Sequence, residues 1–184
     1  GPSEWKLRKN EQGIKVYTRT VPKSALEEFK AIGIVNASPE ALATHFKKVK
    51  NFPNWMPLWI EARKEKTVRN GFIHYQKLEA PFPVSNRDGY YQFQFMEEGE
   101  NVRIKIKALP KFGPEQEDLV RIPSATGFYL FEGLKDGRSK VTYQMLAAPG
   151  GSIPAWLANS MVVKNPFETL ESLKKVFPWL ALNH

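Results

Sequence analysis

The chain has 184 residues, 42% of them hydrophobic and 25% charged, with 27 Lys and Arg against 19 Asp and Glu for a formal net charge of +8. This ordinary globular composition fits one domain with a substantial core and excludes disordered and fibrous classes. There is no Cys, which removes disulfides, thiolate zinc sites and thiol nucleophiles together. No window reaches the roughly eighteen consecutive apolar residues of a membrane span.

The positive charge favours an anionic contact, and phosphate backbones and anionic lipid headgroups satisfy it equally well; a solvated basic surface is the plainer alternative. Gly1, Pro2 and Ser3 read as the scar of a removed expression tag, so the natural start, with any signal peptide, is expected to lie before them. Residues 4–184 read as a single domain. The aromatic content is the compositional excess: twelve Phe, six Tyr and five Trp.

In chain order, a short helical or irregular start is expected at residues 5–9, then strands over GIKVYTRT and over residues 28–36, paired as a hairpin. Ser38 followed by Pro39 is a helix start, with Leu42, Phe46 and Val49 on one face. NFPNWMP (51–57) predicts a tight helical turn with buried aromatics. Strands at 59–68 and 72–78 follow, joined by Asn70-Gly71, the strongest hairpin turn signal in the chain.

From Arg87 onward Tyr91, Phe93 and Phe95 alternate with Gln92 and Gln94, and Val102, Ile104, Ile106 and Ala108 alternate with Arg103, Lys105 and Lys107. The sheet therefore has one apolar face and one wet, basic face. Strands at 128–134 and 140–146, joined by Asp136-Gly137, put Val141, Tyr143 and Met145 on one side and complete an expected antiparallel meander.

Pro149-Gly150-Gly151 breaks the last strand, and a helix is predicted over residues 153–177, interrupted at Pro166. At 100° per residue, Trp156, Ser160, Val163, Phe167, Leu170 and Phe177 form one stripe, while Leu157 and Met161 fall off it. The tail PWLALNH reads as a packed or frayed end. Six to nine curved strands with one late helix across the concave side is an α+β helix-grip arrangement. A helix about 10 Å across cannot fill the concavity of so wide a sheet, so either large side chains plug it or a ligand does.

In order and spacing, Trp5 with GIKVYTR, EFKAIGIV, SPEALATHF, NFPNWMP, HYQKLEAPFPVSNRD, VRIPSATGFYLFE and PGGSIPAWLANSMVVKNPFETLESLKK resemble the START domain, the steroidogenic-acute-regulatory-protein-related lipid-transfer family, in its stand-alone bacterial form. The resemblance implies a cavity for one sterol, phospholipid or similar apolar lipid, gated by the loop at 79–86 and the C-terminal helix. It also implies a cofactor-free monomer in transient contact with an anionic membrane surface. Stand-alone relatives of this kind commonly carry a signal peptide, which favours a periplasmic or secreted location over a cytoplasmic one.

Carried onto this chain, the gate loop holds Phe82 and Val84, apolar residues able to dip into a bilayer or pack flat on the body. Arg87 opens the next strand on the face of Tyr91, Phe93 and Phe95, where it needs a ligand oxygen or a carboxylate such as Asp88 or Glu79. Ile104, Tyr143, Trp156, Val163 and Phe167 are expected to line the cavity. Ser160 is expected to meet a headgroup or to satisfy itself on the preceding turn.

Two other function classes find little support in the residues. The histidines are His45, His74 and the terminal His184, and no metal-ligand spacing, G-x-S-x-G elbow or phosphate-cradling Gly-rich loop is present. An enzyme is therefore disfavoured; the alternative kept open is a polyketide cyclase or hydrolase using Arg87, Tyr91 and Tyr143. Nucleic-acid binding is disfavoured because the aromatics and the cations alternate onto opposite faces, whereas a single-strand platform needs both together.

Overall fold

The computed structural model describes residues 1–179. Ten strands form one sheet in the order β1-β2-β3-β10-β9-β7-β6-β5-β4, with the two-residue β8 paired in parallel to β6. The strands are β1 (Lys6–Glu11), β2 (Ile14–Arg19), β3 (Glu28–Val35), β4 (Trp59–Val68), β5 (Gly71–Leu78), β6 (Arg87–Glu98), β7 (Asn101–Ala108), β8 (Val120–Arg121), β9 (Ser124–Gly133) and β10 (Ser139–Ala148). Between β3 and β4 lie α1 (Pro39–Phe46), a 3-10 turn (Val49–Asn51) and α2 (Phe52–Trp55). The C-terminal helix consists of α3 (Ala155–Asn159), a π-helical turn (Ser160–Lys164) and α4 (Asn165–Val176).

Most of this follows from local chemistry. The β3 residues alternate strictly between half-buried and buried, as a strand covered on one face must. Asn70 takes the left-handed conformation (φ 61°) that its short polar side chain tolerates, closing the β4–β5 hairpin. The Ser38 hydroxyl accepts from the Ala41 N–H at 3.1 Å and Pro39 occupies the first turn, so α1 begins where its cap dictates and buries Leu42 and Phe46 completely.

Three expectations are corrected. The start at 5–9, read as helical or irregular, is mostly strand, because β1 pairs along the edge of β2. The sheet is not a simple meander: β3 pairs with β10 rather than with β4, and the α1–α2 segment carries the chain to the far edge. The helix begins at Ala155, two residues later than predicted, and residues 180–184 of the PWLALNH tail lie outside the described residues.

The C-terminal helix also departs from a regular 100° projection. The Asn165 N–H donates to the Ser160 carbonyl, an i to i+5 bond that widens the turn just before Pro166. Pro166 has no N–H to offer Val162, and its ring crowds that carbonyl, so the ladder loosens there. The extra residue in the turn rotates α3 relative to α4. Phe167 and Leu170 after the turn are buried as the stripe predicted. Before the turn Leu157 is buried, and within it Met161 and Val162 face inward, while Trp156 is left 57% exposed.

The outer face of β5 and β6 is buried too, beneath residues 109–119. Arg121 pins this cover: Nε donates to Asp88 Oδ1 at 2.8 Å and Nη2 to Oδ2 at 3.2 Å, and the remaining donors bind the carbonyls of Pro110, Gly113 and Pro114. The Tyr75 hydroxyl donates to Asp88 Oδ2 at 2.7 Å. With Arg121 and Asp88 both almost fully buried, Asp88→Ala leaves a guanidinium without its counter-charge and is expected to lower stability by about 3–5 kcal/mol. Arg63→Ala, which breaks half-exposed pairs, is expected to cost less than about 1 kcal/mol. Urea denaturation of the two variants measures both.

Candidate ligand cavity

Between the concave face and the C-terminal helix lies a cavity of about 150 Å³. The sheet contributes Tyr91, Phe93, Ile106, Tyr129, Tyr143 and Ala147; the helix contributes Met161, Val162, Asn165, Pro166 and Thr169. One end is closed by Met56, Pro57, Leu58 and Trp59 with Gln76 and Leu78, and the other by Leu26 and Glu27 where the chain enters β3. A shallower groove of about 790 Å³ runs along α3 and the Pro149–Ser152 turn, and it shares Leu26, Glu27 and Val162 with the cavity.

Of the residues expected to meet a ligand, Tyr91, Phe93 and Tyr143 come together on this wall. Ile104 and Phe167 are packed into the core, with the Lys9 ammonium 4.2 Å above the Phe167 ring. Phe95 sits farther along β6 under the Lys47 ammonium. Val163 is off the wall, packed against the small cluster of Leu26, Phe29 and Val162, because the π turn gives the inward position to Val162. Ser160 and Trp156 do not reach the cavity either.

Gln76, Tyr129, Met161, Asn165 and Thr169 line the cavity and were not anticipated. Gln76 was legible from the period of two that places it with His74 and Leu78; the helix residues required knowledge of the π turn.

Phe82, Val84 and Arg87 do not line the cavity. The 79–86 loop is fastened at its base, with the Glu79 N–H on the Leu58 carbonyl at 2.8 Å and the Ala80 N–H on Asn86 Oδ1 at 2.8 Å. Its tip leaves Phe82 96% exposed, with Val84 half-buried. Arg87 does not pair with Asp88 or Glu79. Its donors go to the carbonyls of Ser85 at 2.5 Å, Gly150 at 2.7 Å and Pro149 at 3.4 Å, so it ties the loop to the turn that leads into α3. That turn needs Gly150 and Gly151, both with positive φ. Burial lowers the Arg87 pKa from its ordinary value.

The cavity floor is built on a buried histidine. His74 has no solvent exposure, its ring lies between Trp59 (5.8 Å, 23°) and Tyr91 (5.9 Å, 18°), and its Nε2 meets Gln76 Oε1 at 3.1 Å. Burial pushes the imidazole down to about 4, partly opposed by the Gln76 hydrogen bond. Burial raises the phenols as well, Tyr143 to about 12 and Tyr91 and Tyr129 above the ordinary tyrosine range. Tyr129 and Tyr143 stack at 4.2 Å. His45 packs instead against Trp55 and Phe177, and His184 lies outside the described residues.

The START domain family pattern matches residues 2–177. The chain belongs to the START domain family. Among solved structures, this START domain is similar to a STAR-related lipid transfer protein of Xanthomonas axonopodis, at 37% identity and a TM-score of 0.87 over 98% of this chain and 99% of that one. It is 32% identical to an uncharacterized Pseudomonas aeruginosa protein over 93% of this chain and 85% of that protein. It is 27% identical to human phosphatidylcholine transfer protein over 85% of this chain and 76% of that protein. Among the described residues, no helix is long and apolar enough to cross a membrane.

His74 gives this START domain a defined acid response. The folded protein keeps the ring neutral down to pH about 4, whereas the unfolded chain protonates it near the ordinary 6.5. Between those values the unfolded state binds the extra proton, so the stability present above pH 6.5 declines as the pH falls towards 4. The loss is about 3 kcal/mol at about 1.4 kcal/mol per pKa unit. His74→Phe is expected to flatten this part of the curve, measured as the difference in urea stability between wild type and variant at pH 7, 5.5 and 4.5.

Proposed function

We propose that this START domain takes one apolar lipid into the cavity, shields it from water and carries it between membranes or presents it, without chemical turnover. The observation that carries the reading is an interior space walled by apolar and aromatic side chains at the one place where a single helix faces a wide concave sheet. Family membership supports it, as do the relatives' names: one is a lipid transfer protein and another transfers phosphatidylcholine.

At about 150 Å³ the closed cavity holds a single-ring molecule, so a full lipid requires widening. The groove supplies the room. Displacing Leu26 and Val162, which belong to both spaces, merges the cavity with the groove beside α3. The π turn is the loosened point about which α3 swings. Arg8 bridges the closed state, donating to Asn159 Oδ1 at 2.6 Å and to Glu27 Oε1 at 3.1 Å. Burying several hundred Å² of lipid at about 25 cal/mol per Å² stabilises the filled state by several kcal/mol.

Membrane contact falls at the mouth. Phe82 and Trp156 are large, exposed aromatics in the two segments that meet at Arg87, and the net charge of +8 draws that surface towards anionic lipid.

Native mass spectrometry of the purified protein, followed by solvent extraction, is expected to show one lipid per chain, recovered unchanged. An empty protein that ignores a panel of sterols and phospholipids would count against carriage, and a chemically altered ligand would favour an enzyme. Ala147→Phe places a ring in the cavity and is expected to abolish the bound lipid at a cost of about 1–3 kcal/mol in stability. Phe82→Asp is expected to leave stability within about 0.5 kcal/mol of wild type and to slow lipid transfer between vesicles containing phosphatidylserine; an unchanged rate would remove the loop from the membrane contact.

A further inference from the structure

The side chain of Gln76 carries one acceptor oxygen and an NH2 group with two donors. The oxygen is occupied by His74 Nε2 at 3.1 Å. An amide oxygen only accepts, so His74 donates from Nε2, and its buried Nδ1 is left as a bare acceptor without a partner. His74 is fully buried among aromatic rings, near-parallel to Trp59 and Tyr91 at 5.8 and 5.9 Å and steeply inclined to Phe93 at 4.7 Å. The histidine therefore holds the Gln76 amide oxygen and leaves its NH2 group as a donor on the cavity wall, which the Asn165 amide and the phenols of Tyr91, Tyr129 and Tyr143 also line.

The rest of the wall is uncharged. Among the described residues that line the cavity there is no Lys, Arg or His, and Glu27, at the edge shared with the groove, is the only one with a formal charge. Glu27 is engaged by Arg8, and Arg87 is spent on backbone carbonyls. The Thr169 hydroxyl donates to the Asn165 carbonyl at 2.8 Å. Tyr91, Tyr129 and Tyr143 keep their protons across the physiological range and add neutral hydroxyls. A carboxylate or phosphate brought into this space would lose its hydration and find no cation. A pure hydrocarbon would leave the Gln76 donor without a partner, which is itself costly.

We infer that the cavity selects an uncharged apolar molecule bearing a hydroxyl or carbonyl oxygen, and that Gln76, positioned by His74, donates the hydrogen bond to that oxygen. The inference rests on the carriage reading and names its ligand class: a neutral alcohol or ketone rather than a fatty acid or a phosphate-bearing headgroup held in the cavity.

The test uses the full chain, stripped of co-purifying lipid, and three single-ring probes sized to the closed cavity: p-cresol, p-xylene and 4-methylbenzoate, titrated calorimetrically at neutral pH. Wild type is expected to bind p-cresol tightest and 4-methylbenzoate at least about tenfold more weakly, a difference of about 1.4 kcal/mol. Gln76→Leu is expected to weaken p-cresol roughly three- to tenfold while leaving p-xylene unchanged or tighter.

Equal binding of 4-methylbenzoate and p-cresol by wild type would overturn the ligand class, and this comparison stands even if the variant does not fold. An unchanged ratio of p-cresol to p-xylene in Gln76→Leu would overturn the role of Gln76. In both cases carriage itself would survive, whereas failure of wild type to bind any of the three at millimolar concentration would remove the cavity as a ligand site altogether.

Discussion

One helix cannot cover the concave face of a wide, twisted sheet, and the rest of this structure answers that mismatch. A helix is about 10 Å across with its side chains, while the sheet carries inward-facing apolar residues on strands from β2 round to β5. The core closes tightly where α4 sets Phe167, Leu170 and Leu173 against Ile14, Val16 and Ala31. Where the coverage ends, the space is partly filled from α2 and the start of β4 by Met56, Pro57, Leu58 and Trp59, and what stays unfilled is the cavity. Its position is set by the reach of the helix and by the aromatic plug at one end.

Arg87 and Asp88 show how charge is kept out of that space. They are neighbours on one strand, so their side chains leave on opposite faces and cannot pair with each other. Each is satisfied by a covering segment. Asp88 holds Arg121 and through it the 109–119 cover on the outer face; Arg87 ties the 79–86 loop to the Pro149-Gly150 turn. Both ion sites therefore organise loops, and the interior between them stays neutral, with amide and phenol groups as its polar features.

The π turn connects backbone chemistry to the same space. A proline lacking an N–H loosens one turn, α3 rotates relative to α4, and the residues offered to the cavity become Met161 and Val162. The turn also lies between the segment that borders the groove and the segment that anchors the helix to β2 and β3.

Much was legible in the sequence because it is written in short-range periodicity and local caps. The alternation of Tyr91, Phe93 and Phe95, the Ser38-Pro39 helix start, the Asn70-Gly71 turn and the Gly pair before the last helix each depend on a few neighbouring residues, and each is found where expected. The order of motifs placed the chain among helix-grip proteins with an interior hollow.

Partnerships between residues far apart in the chain were not legible. Alternation put Arg87 on the inward face but could not show that Ser85, Pro149 and Gly150 would bring it three carbonyls. A regular 100° projection could not foresee the turn that exchanges Val163 for Val162. Nor could local pattern pair β3 with β10, or set His74 behind Gln76 between two aromatic rings. The sequence by itself determined the elements, their faces and the presence of an apolar interior, because those follow from backbone propensity and hydrophobic period. Only the tertiary structure decided which side chains border the empty space and which polar groups remain free to meet a ligand, because these depend on distances between segments that the chain brings together only when it folds.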